Sequence, residues 1–446
     1  MILLYFSIYL VVVSAGYIGF LIRRKVINSN CTDELKDVFI DRFVGILVIA
    51  AIAHFAAFIT PTTDIQIAFI LALLAVFILN RSSARFNFQS YVLLGVVSAY
   101  TSAVIYWGDS GAYHLSLVDT IREYGLTVGY GNFDPRFGAS SSFFSLSSIF
   151  TSGKLLNIYQ LPNAALTFVL LDYVFEMARD RFSPRMLFTV FWGGATIILL
   201  IRWGVVISPS PDLVLVMAPF VFFLFLTDKS QSLEQVLYFS IVLTLLSGLV
   251  RMSSLVMLSF SLVVFIAILI TKENKITDLF ANKTSAIFFI LILSLILTSS
   301  NLILTGYPLY PSELITIDVP WRVDPNIVSE NSRVIQDFAK CGAISFSDGS
   351  CYQMSGFQIM TNWITSRIET ITFLLTLSSI LLVLLMISGR VPIEFRIKIF
   401  IIGALISIVF IYITVPTLRF LFGFLSVINA LWAYPIFIWL KARFSC

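Results

Sequence analysis

The stretch ILLYFSIYLVVVSAGYIGFLI (Ile2–Ile22), closed by Arg23, Arg24 and Lys25, decides the fold. It carries no charge, and as an α-helix it reaches about 30 Å, the thickness of a bilayer's hydrocarbon core. Its cations follow the apolar run, whereas a secretory signal places them first, and no small-residue cleavage site comes after it. The reading is a retained transmembrane helix with its N-terminus outside and Arg23–Lys25 in the cytoplasm.

The rest of the chain repeats this theme. Of 446 residues, 58% are hydrophobic and 12% charged, and mean hydropathy is +0.94. A soluble domain carries roughly twice that charged fraction, so the expectation is an all-α, polytopic integral membrane protein. The net charge of +4 does not point to nucleic acid, because the basic residues flank apolar runs as topology signals. No Walker or Rossmann glycine pattern and no zinc-type Cys/His spacing occurs. Nucleotide hydrolysis is therefore not expected, no cofactor is called for, and a divalent metal has no motif to support it.

Alternation from the first span sets the topology. Spans are expected near 43–59, 65–79, 91–107, 163–177, 186–201, 213–227, 235–250, 255–270, 286–304, 371–387, 397–415 and 421–440. Together with the first they make about thirteen, ending with Lys441 and Arg443 inside. The broken apolar stretch 140–159 reads as re-entrant or interfacial, since a full crossing there would invert every later charge. Five regions follow: N-terminal helices (1–107), a first extracytoplasmic loop (108–160), central helices (161–305), a large extracytoplasmic loop (306–370) and C-terminal helices (371–446). Cys341 and Cys351 lie ten residues apart in the large loop, where the compartment permits a disulfide between them.

The first loop, GDSGAYHLSLVDTIREYGLTVGYGNFDPRFGASSS, leaves the membrane at Asp109. Asp109 and Ser110 suit the cap of a helix over 111–124, with Tyr113, Leu117, Val118, Ile121 and Tyr124 on one apolar face. Such a helix is expected along the bilayer surface. Asp109, at the membrane exit among aromatic residues, is either that cap or a general base whose basicity is raised by partial desolvation. In ISPSPDLVLV, Asp212 is either an N-cap after prolines or a second acid facing Asp109. Arg136, Arg251 and Arg419 fall outside, against the topology bias. A guanidinium fork there suits a phosphate at headgroup level, the bland reading being a snorkelling side chain or an ion pair with a loop acid. Asp172 and Glu176 sit in the inner part of a span, facing other helices or Arg179, and His54 reads as a hydrogen-bonded packing residue.

An Asp just after an outward span, followed by an amphipathic helix, resembles the GT-C glycosyltransferases, the polyprenyl-phosphate-sugar-dependent membrane enzymes. The segments GDSGAYHL, REYGLTVGYGNFDPRFGASSSF, RMSSL, GYPLYPS and VPTLRF look like bacterial envelope-polysaccharide membrane proteins related to that superfamily. The resemblance implies that Asp109 is the base on the acceptor hydroxyl. It places Arg251 and Arg419 near the lipid-phosphate leaving group. His114, Asn132 and Arg136 share the first-loop motif and count, with Asp212, as substrate-binding candidates. It also implies a polyprenyl-phosphate-linked sugar donor, a glycan or lipid-linked acceptor, and an active site on the periplasmic side of a bacterial inner membrane. The chain departs from the familiar pattern in placing this loop after its fourth helix, where those enzymes place it after the first.

Two other functions fit a chain of this kind. An O-antigen-type repeat-unit polymerase would use two lipid-pyrophosphate glycans, but its arginine-rich paired loops are not evident. A lipid-glycan transporter or flippase would carry internal repeats and midplane polar residues, and no convincing repeat is present.

Overall fold

The computed structural model describes residues 1–29, 34–79, 86–103, 109–139, 141–151, 158–180, 182–271, 283–347, 354–365, 367–388 and 394–444. Among these the regular structure is helical, with no strand. The N-terminal helices are α1 (Ile2–Leu21), α2 (Glu34–Ile59), α3 (Thr62–Leu79) and α4 (Phe88–Thr101). Three short ones follow, α5 (Leu115–Tyr124), α6 (Pro135–Gly138) and α7 (Ser142–Ile149). The central group is α8 (Leu161–Arg179), α9 (Pro184–Trp203), α10 (Asp212–Leu226), α11 (Leu233–Val250), α12 (Leu258–Thr271) and α13 (Thr284–Thr305). Last come α14 (Pro325–Ser347), α15 (Gly356–Thr365), α16 (Arg367–Ile387), α17 (Phe395–Thr414), α18 (Leu418–Ala430) and α19 (Ala433–Phe444).

Most apolar segments expected from the sequence fall on single helices; 421–440 is divided between α18 and α19, and 91–107 runs past the end of α4 to residues outside the described ones. Among the described residues nine spans are long and apolar enough to cross a membrane, and Asp212–Leu226 and Thr370–Met386 are shorter apolar helices. The protein is a multi-pass membrane protein. Its outer helices expose apolar rows at helical spacing, such as Ile67, Leu71 and Ile78 on α3 and Phe288, Leu291 and Leu295 on α13. In water such rows would aggregate; against lipid tails they cost nothing.

At the centre, α10 is buried along its whole length. Trp192 stacks on its Phe220 with ring centroids 3.6 Å apart, and Phe222 packs on Phe260. Backbones meet where glycines allow it. A Cβ on Gly45 would lie 1.9 Å from the Ala15 carbonyl oxygen, so α1 and α2 touch main chain to main chain. His54 is buried on α2, bridging Ser145 Oγ at 2.9 Å and Ser300 Oγ at 2.8 Å, the packing role expected of it. Asp172 pairs with Arg42 at 2.6 Å across helices, while Glu176 lies 3.7 Å from Arg179.

One expectation for the first loop is corrected. The apolar face of α5 (Leu117, Val118, Ile121) is buried on Ala57, Phe144 and Leu304 of the protein itself and does not lie on the bilayer surface. The helix Ser142–Ile149 is buried on every side, and at eight residues it spans about 12 Å. It is too short to cross and sits as a plug between α2 and α5. The second loop clamps this assembly: Tyr310 Oη donates to the Pro135 carbonyl at 2.7 Å, and Val323 N–H donates to the Thr305 carbonyl at 2.9 Å. Cys351 and the side chain of Cys341 lie outside the described residues, and with them the expected disulfide.

Candidate functional site

Four charged residues from separate regions meet at the loop end of the bundle. Asp109 stands just before a π-helical turn (Ser110–His114), Asp212 opens α10, Arg251 precedes the 3₁₀ turn Met252–Met257 that leads into α12, and Arg419 lies in the first turn of α18. Arg419 Nη1 donates to Asp109 Oδ2 at 3.0 Å and lies 3.7 Å from Asp212 Oδ2. Arg251 Nη1 pairs with Asp212 Oδ1. The Phe420 ring lies under both guanidiniums, at 4.7 Å from Arg251 and 5.4 Å from Arg419.

Local sequence explains the convergence. Gly423, one turn beyond Arg419, faces Leu215, about one turn beyond Asp212; a Cβ there would lie 2.2 Å from the Leu215 carbonyl oxygen. That contact draws the starts of α10 and α18 together. Before α10, the Ser-Pro-Ser-Pro turn is held from α8 by Asn163. Its Nδ2 reaches the carbonyls of Val205, Ser208 and Ser210 at 3.0, 2.7 and 2.7 Å. Ser210 Oγ then donates to Asp212 Oδ2 at 3.0 Å. Asp212 is thus a buried counter-ion rather than an N-cap. Asp109 makes no side-chain cap bond either, its carboxylate being turned to Arg419.

The two acids differ in setting. The Asp212 side chain is 4% exposed and that of Asp109 39%. One anchors the arginines from below; the other stands at the rim, open to an arriving group. Asp212 and Arg419 lie in the first turns of α10 and α18, at positive helix ends, whereas Arg251 closes α11 at its negative end. The dipole of α18 opposes Arg419 and that of α11 favours Arg251, while two carboxylates face the two guanidiniums. The site also holds polar atoms without partners. Ser253 Oγ, Ser254 Oγ and Thr417 Oγ1 are buried and unpaired. Thr417 even occupies the N-cap of α18 without capping it.

His114 shares the site. It is 1% exposed, wedged between Tyr113 and Phe144 with centroids 4.4 and 5.0 Å away. Its Nδ1 lies 3.4 Å from Ser110 Oγ, which donates to Ser208 Oγ at 3.0 Å, while Nε2 has no partner. Burial lowers its pKa to about 4; Asp109 and Asp212 oppose the shift in part and the two arginines add to it. The ring is neutral at pH 7. Burial likewise pushes the Tyr113 phenol up to about 12.

Of the seven residues singled out in the sequence, five therefore converge: Asp109, His114, Asp212, Arg251 and Arg419. Arg136 lies at the edge, its guanidinium 5.2 Å over the Tyr113 ring. Its charge is taken by its neighbour Asp134, which accepts from Nε at 3.0 Å and Nη2 at 2.6 Å. Asn132 is elsewhere, its Nδ2 donating to the Trp321 carbonyl at 2.7 Å to tie the two loops together. Sequence reasoning passed over Asn163, Ser208, Ser210, Phe420 and the unpaired hydroxyls. The alternating Ser-Pro run was the one available hint. Among the described residues no three His, Cys, Asp or Glu side chains could hold a metal ion.

Residues 1–426 match a family described as a domain of unknown function, DUF8201. The chain belongs to that family. No curated protein and no solved structure matches it.

Proposed function

We propose that this DUF8201 protein is an inverting glycosyltransferase of the GT-C type. In this reading about thirteen helices cross a bacterial inner membrane, N-terminus outside and C-terminus inside, and the Asp109 cluster opens to the extracytoplasmic face. The donor is a polyprenyl-phosphate-linked sugar, and the acceptor an envelope glycan or lipid-linked hydroxyl. One observation carries the proposal: a half-exposed aspartate is paired to an arginine at a site where buried hydroxyls lack partners.

The chemistry follows from that sharing. A donor phosphate entering at headgroup depth competes with Asp109 for Arg419, while Asp212 keeps both arginines in place from below. Released from its ion pair, the Asp109 carboxylate accepts the proton of the acceptor hydroxyl as the oxygen attacks the anomeric carbon. The bond between that carbon and the phosphate oxygen breaks, and the lipid phosphate departs with its new charge facing Arg251, Arg419 and the helix starts. Attack from the opposite side inverts the anomeric centre.

The test is Asp109→Asn in proteoliposomes, followed by transfer of radiolabelled sugar from polyprenyl-phosphate donors. A positioned general base contributes roughly 10²–10⁴-fold, so the variant is expected to lose at least about a hundredfold in turnover with donor binding retained. Turnover near that of the wild type would remove Asp109 from the reaction. Absence of transfer by the wild type across a broad donor panel would overturn the reading itself.

A further inference from the structure

At the other end of the bundle lies a cavity of about 280 Å³, lined by Arg24, Lys25, Asn28, Lys283 and Ser285. Its position follows from helix direction: Lys283 sits 4.0 Å from Glu234 at the start of α11, while Arg251 follows the far end of the same helix. None of the described residues lining it is acidic. Glu234 lies beside it, 4.0 Å from Lys283. Arg24 makes a cation–π contact with Phe20 at 5.6 Å and, like Lys25, is exposed. Three cations around so small a space repel one another, and an anion relieves them.

The wall of the cavity is fixed. Asn28 has a left-handed backbone, φ 58, and its carbonyl accepts a hydrogen bond from Gln235 Nε2 of α11. Immediately beyond Ser285, α13 turns an apolar row outward: Phe288, Leu291 and Leu295 are 64%, 61% and 65% exposed. Charge at the helix end and an uncovered apolar track directly below it are the two halves of an amphiphile's binding surface.

We infer that this cavity is a binding site for the phosphate of an anionic glycerophospholipid, with an acyl chain laid along Phe288, Leu291 and Leu295. It is a second lipid site, separate from the Asp109 cluster and independent of the sugar-transfer reading. The shared chemistry is a phosphate oxyanion held by a guanidinium and two ammoniums. A free phosphate would use the cations but have no need of the apolar row.

Native mass spectrometry of the detergent-purified full chain tests this by titration with phosphatidylglycerol, phosphatidylcholine and inorganic phosphate. One phosphatidylglycerol should bind in preference to phosphatidylcholine. Each cation near a membrane surface is worth about fivefold in anionic-lipid affinity, so Arg24→Gln with Lys25→Gln should weaken it roughly 25-fold. Both side chains are exposed, and unchanged thermal unfolding would confirm that the double variant is folded. Arg333→Gln, an exposed arginine on α14, should leave binding as it was. Equal affinity for both lipids, or an unchanged double variant, overturns the site. Displacement of phosphatidylglycerol by millimolar inorganic phosphate overturns the lipid as its occupant.

Discussion

The protein buries charge at both ends of its bundle, and the two clusters are built to opposite rules. At the end carrying Arg23, the buried cations Arg23, Lys36 and Arg42 are each paired, unlike the exposed Arg24 and Lys25 at the cavity beside them. Arg23 grips Asp41 in a bidentate fork at 2.7 and 2.9 Å and reaches Asp37 at 3.2 Å. Arg42 meets Asp172 at 2.6 Å, and the other Asp172 oxygen accepts from Ser90 Oγ at 2.6 Å. Lys36 pairs with Asp228 at 2.5 Å. At the Asp109 end, Arg419 sits on a helix start that repels it, one acid is open to solvent, and buried hydroxyls and an imidazole nitrogen lack partners. A cluster that satisfies itself holds helices together. A cluster with an exposed acid and unpaired hydroxyls has contacts to spare, as the proposed function requires.

Removing one partner of each kind should separate the two rules. Asp172→Asn leaves the Arg42 guanidinium buried without its counter-charge, a change that costs about 3–5 kcal/mol. It should lower the thermal midpoint sharply while turnover per folded molecule stays near that of the wild type. Arg419→Gln should do the reverse. Asp212 keeps Arg251, so stability should move by about 1 kcal/mol or less, while turnover drops roughly 10²–10³-fold for want of a charge on the leaving phosphate. If both variants lose stability alike, or both lose turnover alike, the contrast between the clusters fails.

A smaller effect separates the clusters by pH. The pKa of His114 is about 4 in the folded protein, against about 6.5 for an unfolded histidine. Between these values the unfolded chain binds more protons, so stability is full above pH 6.5 and falls as pH drops toward 4. Its ceiling is roughly 3 kcal/mol. Thermal midpoints of wild type and His114→Gln, measured from pH 7 to 4, should diverge at the top and converge at the bottom. A constant gap across that range would show that burial does not suppress the charge of His114.

Much of this architecture is legible in the sequence because lipid imposes a coarse and simple pattern. Apolar runs announce helices, and charges at their ends stand out against them. Asp109, Asp212, Arg251 and Arg419 were each visible for that reason. Their pairing was not, because Asp109 and Arg419 are 310 residues apart and nothing local links them. Arg419 is brought to Asp212 by the close approach at Gly423, and a single glycine in an apolar helix gives no sign of what it faces. Asn132 shows the opposite failure. It shares a motif with Asp109 yet serves the clamp between the loops, since chain proximity does not fix which way a side chain turns. The α5 helix read as a surface helix because amphipathicity reports an apolar partner without saying whether that partner is lipid or protein.

The finest test compares two hydroxyls. Ser90 Oγ is bonded to the Asp172 carboxylate, and hydrogen bonds to charged groups contribute about 1.5–3 kcal/mol; Ser90→Ala should therefore destabilise the protein by about that much. Thr417 Oγ1 is buried with no partner, so the protein already bears the cost of dehydrating it. Thr417→Val keeps the shape and removes that cost, and stability should stay level or rise by up to about 1 kcal/mol. If the proposed function holds and the hydroxyl bonds the donor phosphate, the same substitution should weaken binding of a polyprenyl phosphate several-fold. A Thr417→Val protein that lost stability as Ser90→Ala does would mean that the hydroxyl serves the fold, and the Asp109 cluster would then be as closed as the one at the other end.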